Sequence, residues 1–145
     1  MQITRLTPAD LPRFRAMNAV FAAAFEAPDA AAPPDDAYVR ALLARDTFLA
    51  FVAETDGVCV GAIAGYLLPK FEQARSEGYI YDLAVAEPHR RRGIATALIR
   101  AFVTAARDAG AHVTFVQADR DDPPAIALYT KLGQRADVLH FDIDA

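Results

Sequence analysis

Residues 79–99 read Y-I-Y-D-L-A-V-A-E-P-H-R-R-R-G-I-A-T-A-L-I, and the rest of the chain is organised around them. Residues 79–85 are β-branched and aromatic apart from Asp82, Leu83 and Ala84. Pro88 lacks the backbone donor that a continuing strand needs, so a strand must end in a turn there. From Gly93 onward Ile94, Ala97, Leu98, Ala101, Phe102 and Ala105 fall at helical spacing, which predicts a helix that begins in or just after the run Arg90-Arg91-Arg92. The first turn of such a helix has free N–H groups. Together with the positive end of the helix dipole and the arginines they converge on one spot, as an anion such as a pyrophosphate requires. Gly93 and Ala95 are small where a bulky group would approach the backbone. On spacing alone a second reading stands beside this one, because a glycine and arginines at a strand-to-helix turn also serve capping and solubility.

The 145 residues predict one domain, 1–145, large enough to bury an ordinary core. With 54% hydrophobic and 23% charged residues the composition is that of a soluble globular chain. A formal net charge of −4 leaves no excess of cations to displace counterions from phosphates, so a nucleic-acid partner is not expected and the basic triplet is a local device. No stretch approaches the roughly 18 to 20 apolar residues that span a bilayer, so no membrane partner is expected. The single cysteine, Cys59, fits a reducing compartment, and the opening M-Q-I-T-R-L-T-P-A-D has no signal-peptide pattern, so the expected location is cytoplasmic.

Taken in order, residues 2–6 read as a strand, and Thr7-Pro8-Ala9-Asp10 as an N-cap with proline at the first helical position. Leu11, Phe14, Met17, Asn18, Phe21 and Phe25 mark one helix face, and residues 26–35 form a proline-containing loop. Asp36 is expected to cap a second helix carrying Val39, Leu42 and Leu43. Residues 48–54 and 58–68 are strands joined by the hairpin signal Thr55-Asp56-Gly57, and Gly61 and Gly65 suggest a bend or a close neighbour. After the polar connector 69–78 come the central strand, turn and helix. Gly110 then closes the helix, residues 112–118 form a fifth strand, Asp122 caps a last helix over 125–132, and residues 138–143 alternate as a final strand.

Arg90-x-x-Gly93-x-Ala95 after L-A-V-A-E-P is similar to the acyl-CoA signature of the Gcn5-related N-acetyltransferase (GNAT) superfamily, and the element order agrees over nearly the whole chain. Asp122, Ala125 and Tyr129 match the second signature, with Asp where Asn is usual. The stretches Met17-Asn18-Ala19, residues 68–77, 79–85 and 115–119, and residues 138–143 resemble type I aminoglycoside 3-N-acetyltransferases, the gentamicin and fortimicin modifying branch. The resemblance implies an α/β (α+β) acyl-CoA N-acyltransferase fold: a mixed, mostly antiparallel sheet with a central parallel strand pair flanked by helices. It implies acetyl-CoA as co-substrate, a polycationic aminoglycoside as acceptor, antibiotic resistance as the setting, and no metal. The C-terminal region has room for one final strand where many relatives have two, and a truncated edge invites a homodimer.

Candidate site residues for the acyl donor follow from the turn and the resemblance together, and those for the acceptor from the chemistry of a protonated amine. Residues 91–96, with Gly93, Ile94, Ala95 and Thr96, are expected to hold the pyrophosphate, and Arg90, Arg91 or Arg92 to add charged contacts. Leu83, Ala84 and Val85 are expected to present main-chain groups to the acetyl-pantetheine arm, with the Leu83 N–H polarising the carbonyl. Asp122, Ala125 and Tyr129 line the arm from the last helix, and Tyr129 is the expected acid for the departing thiolate. For the acceptor, Asp82 interrupts an apolar strand, where a carboxylate is costly unless it faces a wet cleft or a cationic partner. Glu72, Glu77, Tyr81, Asp119 and Asp142, with Asp144, complete the candidate acceptor pocket. Each of these carboxylates also has a plain reading as a solvated or capping residue, as Tyr129 has as a core residue. His140 is a weaker candidate base. Acetyl transfer to a polyamine, another small amine or a protein amine, and a non-catalytic acyl-CoA sensor, remain open at this point.

Overall fold

The computed structural model describes residues 1–26 and 32–145. Part of the loop expected over 26–35 therefore lies outside the described residues. The elements run β1 (Gln2–Arg5), α1 (Leu11–Ala24), α2 (Asp36–Leu43), β2 (Phe48–Thr55), β3 (Val58–Pro69), β4 (Ser76–Val85), a 3-10 turn (Glu87–His89), α3 (Ile94–Asp108), β5 (Ala111–Val116) and α4 (Pro123–Thr130). The strands form one sheet in sequence order, antiparallel throughout except for the parallel pair β4–β5 that α3 connects. Among the described residues no helix is long and apolar enough to cross a membrane.

Local chemistry explains most boundaries. The turn between β2 and β3 places both Asp56 (φ 51°) and Gly57 (φ 76°) in the left-handed region that a tight two-residue hairpin demands. Gly110, at φ 94°, follows the end of α3 as a left-handed terminator. Asp122 Oδ1 accepts from the Ala125 N–H at 3.1 Å and opens α4. Two expected caps move. Asp35, not Asp36, accepts from the Tyr38 N–H at the start of α2. Thr7 and Asp10 bond to each other, so α1 starts only at Leu11 and has no side-chain cap.

The two faces of the sheet bury separate cores. On one, α3 packs Ile94, Leu98, Ile99 and Phe102 against Leu49, Phe51, Val60, Ile63 and Ile80, with Leu128 and Tyr129 of α4 alongside. On the other, Phe14 and Met17 of α1 and Val39 and Leu43 of α2 cover Phe48, Ala50, Val52, Ala62 and Ala64. Burying a side chain the size of Leu or Phe contributes about 1.5–3 kcal/mol, so each helix is held by its apolar stripe more than by its intrinsic propensity.

The final strand expected over 138–143 is not formed: residues 134–145 have no regular secondary structure and are exposed. Alternation supplies a strand with a face, but a strand exists only where another backbone accepts its hydrogen bonds, and no strand of the described chain does so here.

Gly65 is fixed by contact. A Cβ there would lie 2.1 Å from the Tyr79 carbonyl oxygen and 2.8 Å from the Phe102 ring, neither of which has room to retreat. Gly65→Ala should therefore lower stability by about 1–3 kcal/mol or more in urea unfolding. A change under half a kilocalorie, on the order of an ordinary surface substitution, would contradict this packing.

Candidate active site

The parallel pair is incomplete. Register between β4 and β5 runs from Ser76↔Ala111 to Ile80↔Val116 and stops, while β4 continues to Val85. At the same point the β3–β4 register steps from Gly65↔Ile80 to Ala64↔Asp82, leaving Tyr81 as a bulged residue. A bulge bends its strand and raises the local twist, which turns residues 81–85 away from β5. The Ala86 N–H donates to the Val60 carbonyl at 2.9 Å, so strand alternation points the peptide groups of Val85 and Leu83 away from β3 and into the gap.

Below the gap, on the α3 side, the chain makes an anion-shaped turn. Arg91 has φ 60° and Gly93 φ 79°, immediately before α3. Left-handed residues in such a turn aim successive N–H groups into one concavity, and a non-glycine held there is strained by about 1–3 kcal/mol. No atom lies within 4 Å of where a Cβ on Gly93 would stand, so a bulky group can approach the backbone. The three arginines are not equivalent. Arg90 Nε donates to the Val85 carbonyl at 3.0 Å and ties the turn to the end of β4, whereas Arg91 and Arg92 are exposed and without an ion pair among the described residues. Ala95 and Thr96 lie partly buried in the first turn of α3 and Ile94 is buried beneath it.

Tyr129 is on this same side. It is partly buried against the α3-face core, and burial, with a smaller contribution from Asp122, pushes its phenol above the usual range, so it holds its proton at neutral pH. Ala125, one turn earlier, is partly buried, and Asp122 is engaged in capping.

On the opposite face lies a row of aromatic rings that crosses four strands. Phe48, Tyr66, Tyr81, Tyr79 and Phe115 follow one another at centroid separations of 5.3, 5.9, 5.7 and 4.8 Å. The Tyr79 hydroxyl donates to Gln117 Oε1 at 2.9 Å, which fixes the chain as it leaves β5. Tyr81, displaced outward by the bulge, is 62% exposed. Asp82 sits in this company: burial, with a small contribution from its charge, raises the phenols of Tyr66 and Tyr79, burial holds its own carboxyl above the usual range, and it has neither a hydrogen bond nor an ion pair among the described residues. A half-buried, unpaired carboxylate over an aromatic floor suits a cation.

The remaining acceptor candidates do not gather around Asp82. Glu72 and Glu77 both bind Lys70 Nζ, the latter at 3.2 Å, and Lys70 holds the Glu72 carboxyl below its usual range. Asp119 is exposed just after β5, while Asp142 is exposed on the C-terminal segment with His140 Nε2 at 3.0 Å. Among the described residues no group of three or more His, Cys, Asp or Glu side chains is placed to hold a metal ion. The aromatic row beyond Tyr81 and the parting of the strands are site features the sequence reading missed. Gly65, opposite the bulge, was their one visible trace.

The model of the acetyltransferase (GNAT) family matches residues 14–134. A solved structure of the aminoglycoside acetyltransferase HMB0005, from an uncultured soil metagenomic sample, is 47% identical with TM-score 0.93, covering 99% of this chain and 97% of that one. A second, the aminoglycoside acetyltransferase meta-AAC0020 in complex with sisomicin, is 32% identical with TM-score 0.93 over 99% and 95%. An N-alpha-acetyltransferase of Sulfurisphaera tokodaii is 35% identical over 94 residues, 57% of this chain and 54% of that protein. The chain spans about half the length of the curated relatives it matches. With fold, signature turn and family model in agreement, the chain belongs to the GNAT acetyltransferase family.

Proposed function

We propose that this protein transfers the acetyl group of acetyl-CoA to an amino group of an aminoglycoside, by direct attack while both are bound. The observation that carries this reading is the site that passes through the sheet. A cradle for an anion and a protonated phenol lie on the α3–α4 face. An unpaired carboxylate on an aromatic floor lies on the other, and unpaired peptide groups stand in the gap between them. The acceptor class is supported by full-length likeness to two aminoglycoside acetyltransferases, one of them solved with sisomicin. The 3-amino group is the position implied by the sequence resemblance, and resistance the implied setting. We place the reaction in the cytoplasm, where the lone Cys59 suits a reducing environment.

The residues fit acetyl-CoA. Peptide groups of residues 91–96, with the guanidinium groups of Arg91 and Arg92, would hold the pyrophosphate, while Arg90 braces the turn. Acetyl-CoA supplies an acyl group already activated as a thioester. Leu83 offers an N–H in the gap to the carbonyl oxygen, and donors fixed in advance toward developing negative charge are commonly a large catalytic contribution. Val85 offers a second peptide group along the arm. Tyr129 holds the proton that the leaving sulfur takes. On the acceptor face Asp82 attracts the ammonium form and, directly or through a water, accepts the proton whose loss frees the amine lone pair. A carboxylate raised toward the working pH is a stronger base than a solvated one. Tyr81, with Asp119 and Asp142, would contact the outer rings of a polycation.

A second reading, transfer to the amine of a peptide N-terminus, is favoured by one observation, the 35% identity over 94 residues to an N-alpha-acetyltransferase. Thiol release from acetyl-CoA separates the two. Sisomicin and gentamicin should turn over with kcat/KM at least about tenfold above a peptide N-terminus or spermidine, with mass and NMR analysis placing the acetyl group on N3. Turnover confined to the peptide would replace the aminoglycoside reading, and binding of CoA with no turnover would favour a sensor.

Tyr129→Phe should lower kcat by about 10²-fold with little change in acetyl-CoA affinity by calorimetry. Unchanged kcat removes the phenol as the acid. For Asp82 the stability sign is opposite to the catalytic one. Its folded carboxyl titrates above the ordinary value of 3.8, so its contribution favours the fold below that value and is lost as pH rises through the raised one. Asp82→Asn should therefore raise Tm at pH 7, with the gain vanishing toward pH 3, and lower acceptor kcat/KM by about 10²-fold. A lower Tm at pH 7 would show that the carboxylate is paired after all.

A further inference from the structure

Ile80↔Val116 is the last pair of β4 and β5, so the gap opens with Tyr81 and Asp82 on the β4 side and with Gln117 on the chain leaving β5. Gln117 is already engaged. Its Oε1 accepts from the Tyr79 hydroxyl at 2.9 Å, which draws the amide from the β5 side across the acceptor face toward β4. The Tyr79 ring that holds it is itself held: it stacks on Phe115 at 4.8 Å with 12° between the planes, and meets Tyr81 edge-on at 5.7 Å and 70°. The phenol oxygen is therefore a fixed point, and Asp82 stands close enough for its charge to bear on it.

This hydrogen bond sorts the two ends of the amide. An amide has an oxygen that accepts and an NH2 that donates, and a phenol donates more readily than it accepts. With the oxygen facing Tyr79, both Nε2 hydrogens face away, and no group among the described residues accepts from them. The acceptor face then carries an accepting carboxylate, Asp82, on one bank of the gap and a donating amide end on the other.

We propose that Gln117 is a specificity-determining residue for the acceptor, selecting amines that carry an oxygen on the carbon beside the reactive one, and that Tyr79 is the positioning residue that turns its amide to do so. This rests on the transfer reaction argued above and adds what the site reads besides charge. Asp82 attracts any ammonium group and cannot tell one from another. Gln117 can: a hydroxyl or ether oxygen one carbon from the amine accepts from Nε2 while Asp82 holds the amine. Paired strands lie about 4.8 Å apart and parted ones further, so one polar group on each bank can hold two heteroatoms that sit on adjacent carbons between them. Amino sugars and aminocyclitols pair amine and oxygen in this way. A linear polyamine has no oxygen and leaves the amide without a partner once water is displaced, and a site built around a donor rejects the analogue that cannot meet it.

Kinetics with sisomicin and spermidine test the proposal. In Gln117→Met, which keeps the size and removes the donors, kcat/KM for sisomicin should fall about tenfold, mainly through KM, while spermidine, followed as a substrate or as a competitor of sisomicin, is unaffected. Acetyl-CoA affinity by calorimetry should stay as it was. Tyr79→Phe should lower sisomicin kcat/KM about threefold, and in the Gln117→Met background it should do nothing more, since Tyr79 acts only through the amide. A brace that merely holds β5 would give losses that add and that fall on both amines. A sisomicin kcat/KM in Gln117→Met within about twofold of the unaltered enzyme, equal losses with spermidine, or additive losses in the double variant overturns the proposal and leaves the aminoglycoside reading standing. An unaltered enzyme that does not acetylate sisomicin overturns both. If Gln117→Met does not fold, Gln117→Glu, which retains an oxygen for Tyr79 and lacks the donors, should lower the sisomicin-to-spermidine ratio by about tenfold, and an unchanged ratio overturns the proposal.

Discussion

Two parallel strands that begin paired and then part leave a run of peptide groups with no partner. In this chain the parting comes directly after Ile80↔Val116, where Tyr81 bulges out of register with β3. Buried peptide groups left unpaired cost about 1–3 kcal/mol each, so such a gap persists only if water or a ligand fills it. The helix α3 and the braced Arg90 hold β4 in place on one side, and the Tyr79–Gln117 hydrogen bond holds the departing chain on the other. What is left between them is a slot of backbone donors and acceptors with a different chemistry at each mouth.

The proposed function rests on that asymmetry. The α3–α4 mouth has the helix N-terminus, left-handed Arg91 and Gly93, and a phenol that burial pushes above its usual range. The opposite mouth has aromatic rings and a carboxylate that burial holds above its normal range, with no hydrogen bond or ion pair among the described residues. Asp82 is the candidate acceptor carboxylate that burial holds above its usual range without a hydrogen bond or ion pair among the described residues, a pattern that goes with binding or chemistry more often than with stability. Glu72 and Glu77, by contrast, share Lys70, and Asp122 serves α4.

The fold was largely legible because its signals are local. Asp56-Gly57 specifies a hairpin, Gly110 a helix end, and the Gly93–Phe102 periodicity a helix packed on one face. Ala125 and Tyr129 on a helix opened by Asp122 were legible for the same reason. Three features were not. The bulge at Tyr81 depends on what lies across the sheet, so a single strand carries no mark of it except Gly65 in its neighbour. The aromatic row joins residues as far apart in sequence as Phe48 and Phe115, which only the sheet brings together. The strand expected at 138–143 does not form: the alternation is present, but among the described residues no strand pairs with it, and periodicity says nothing about pairing.

The central claim, that the parted strands are where the acyl donor lies, is tested most directly by following the backbone amides of Leu83 and Val85 by NMR as acetyl-CoA is added. Both amides are predicted to shift and to become protected from exchange together with those of residues 91–96. Saturating acetyl-CoA that perturbs residues 91–96 while the Leu83 and Val85 amides stay unchanged and freely exchanging would contradict the account.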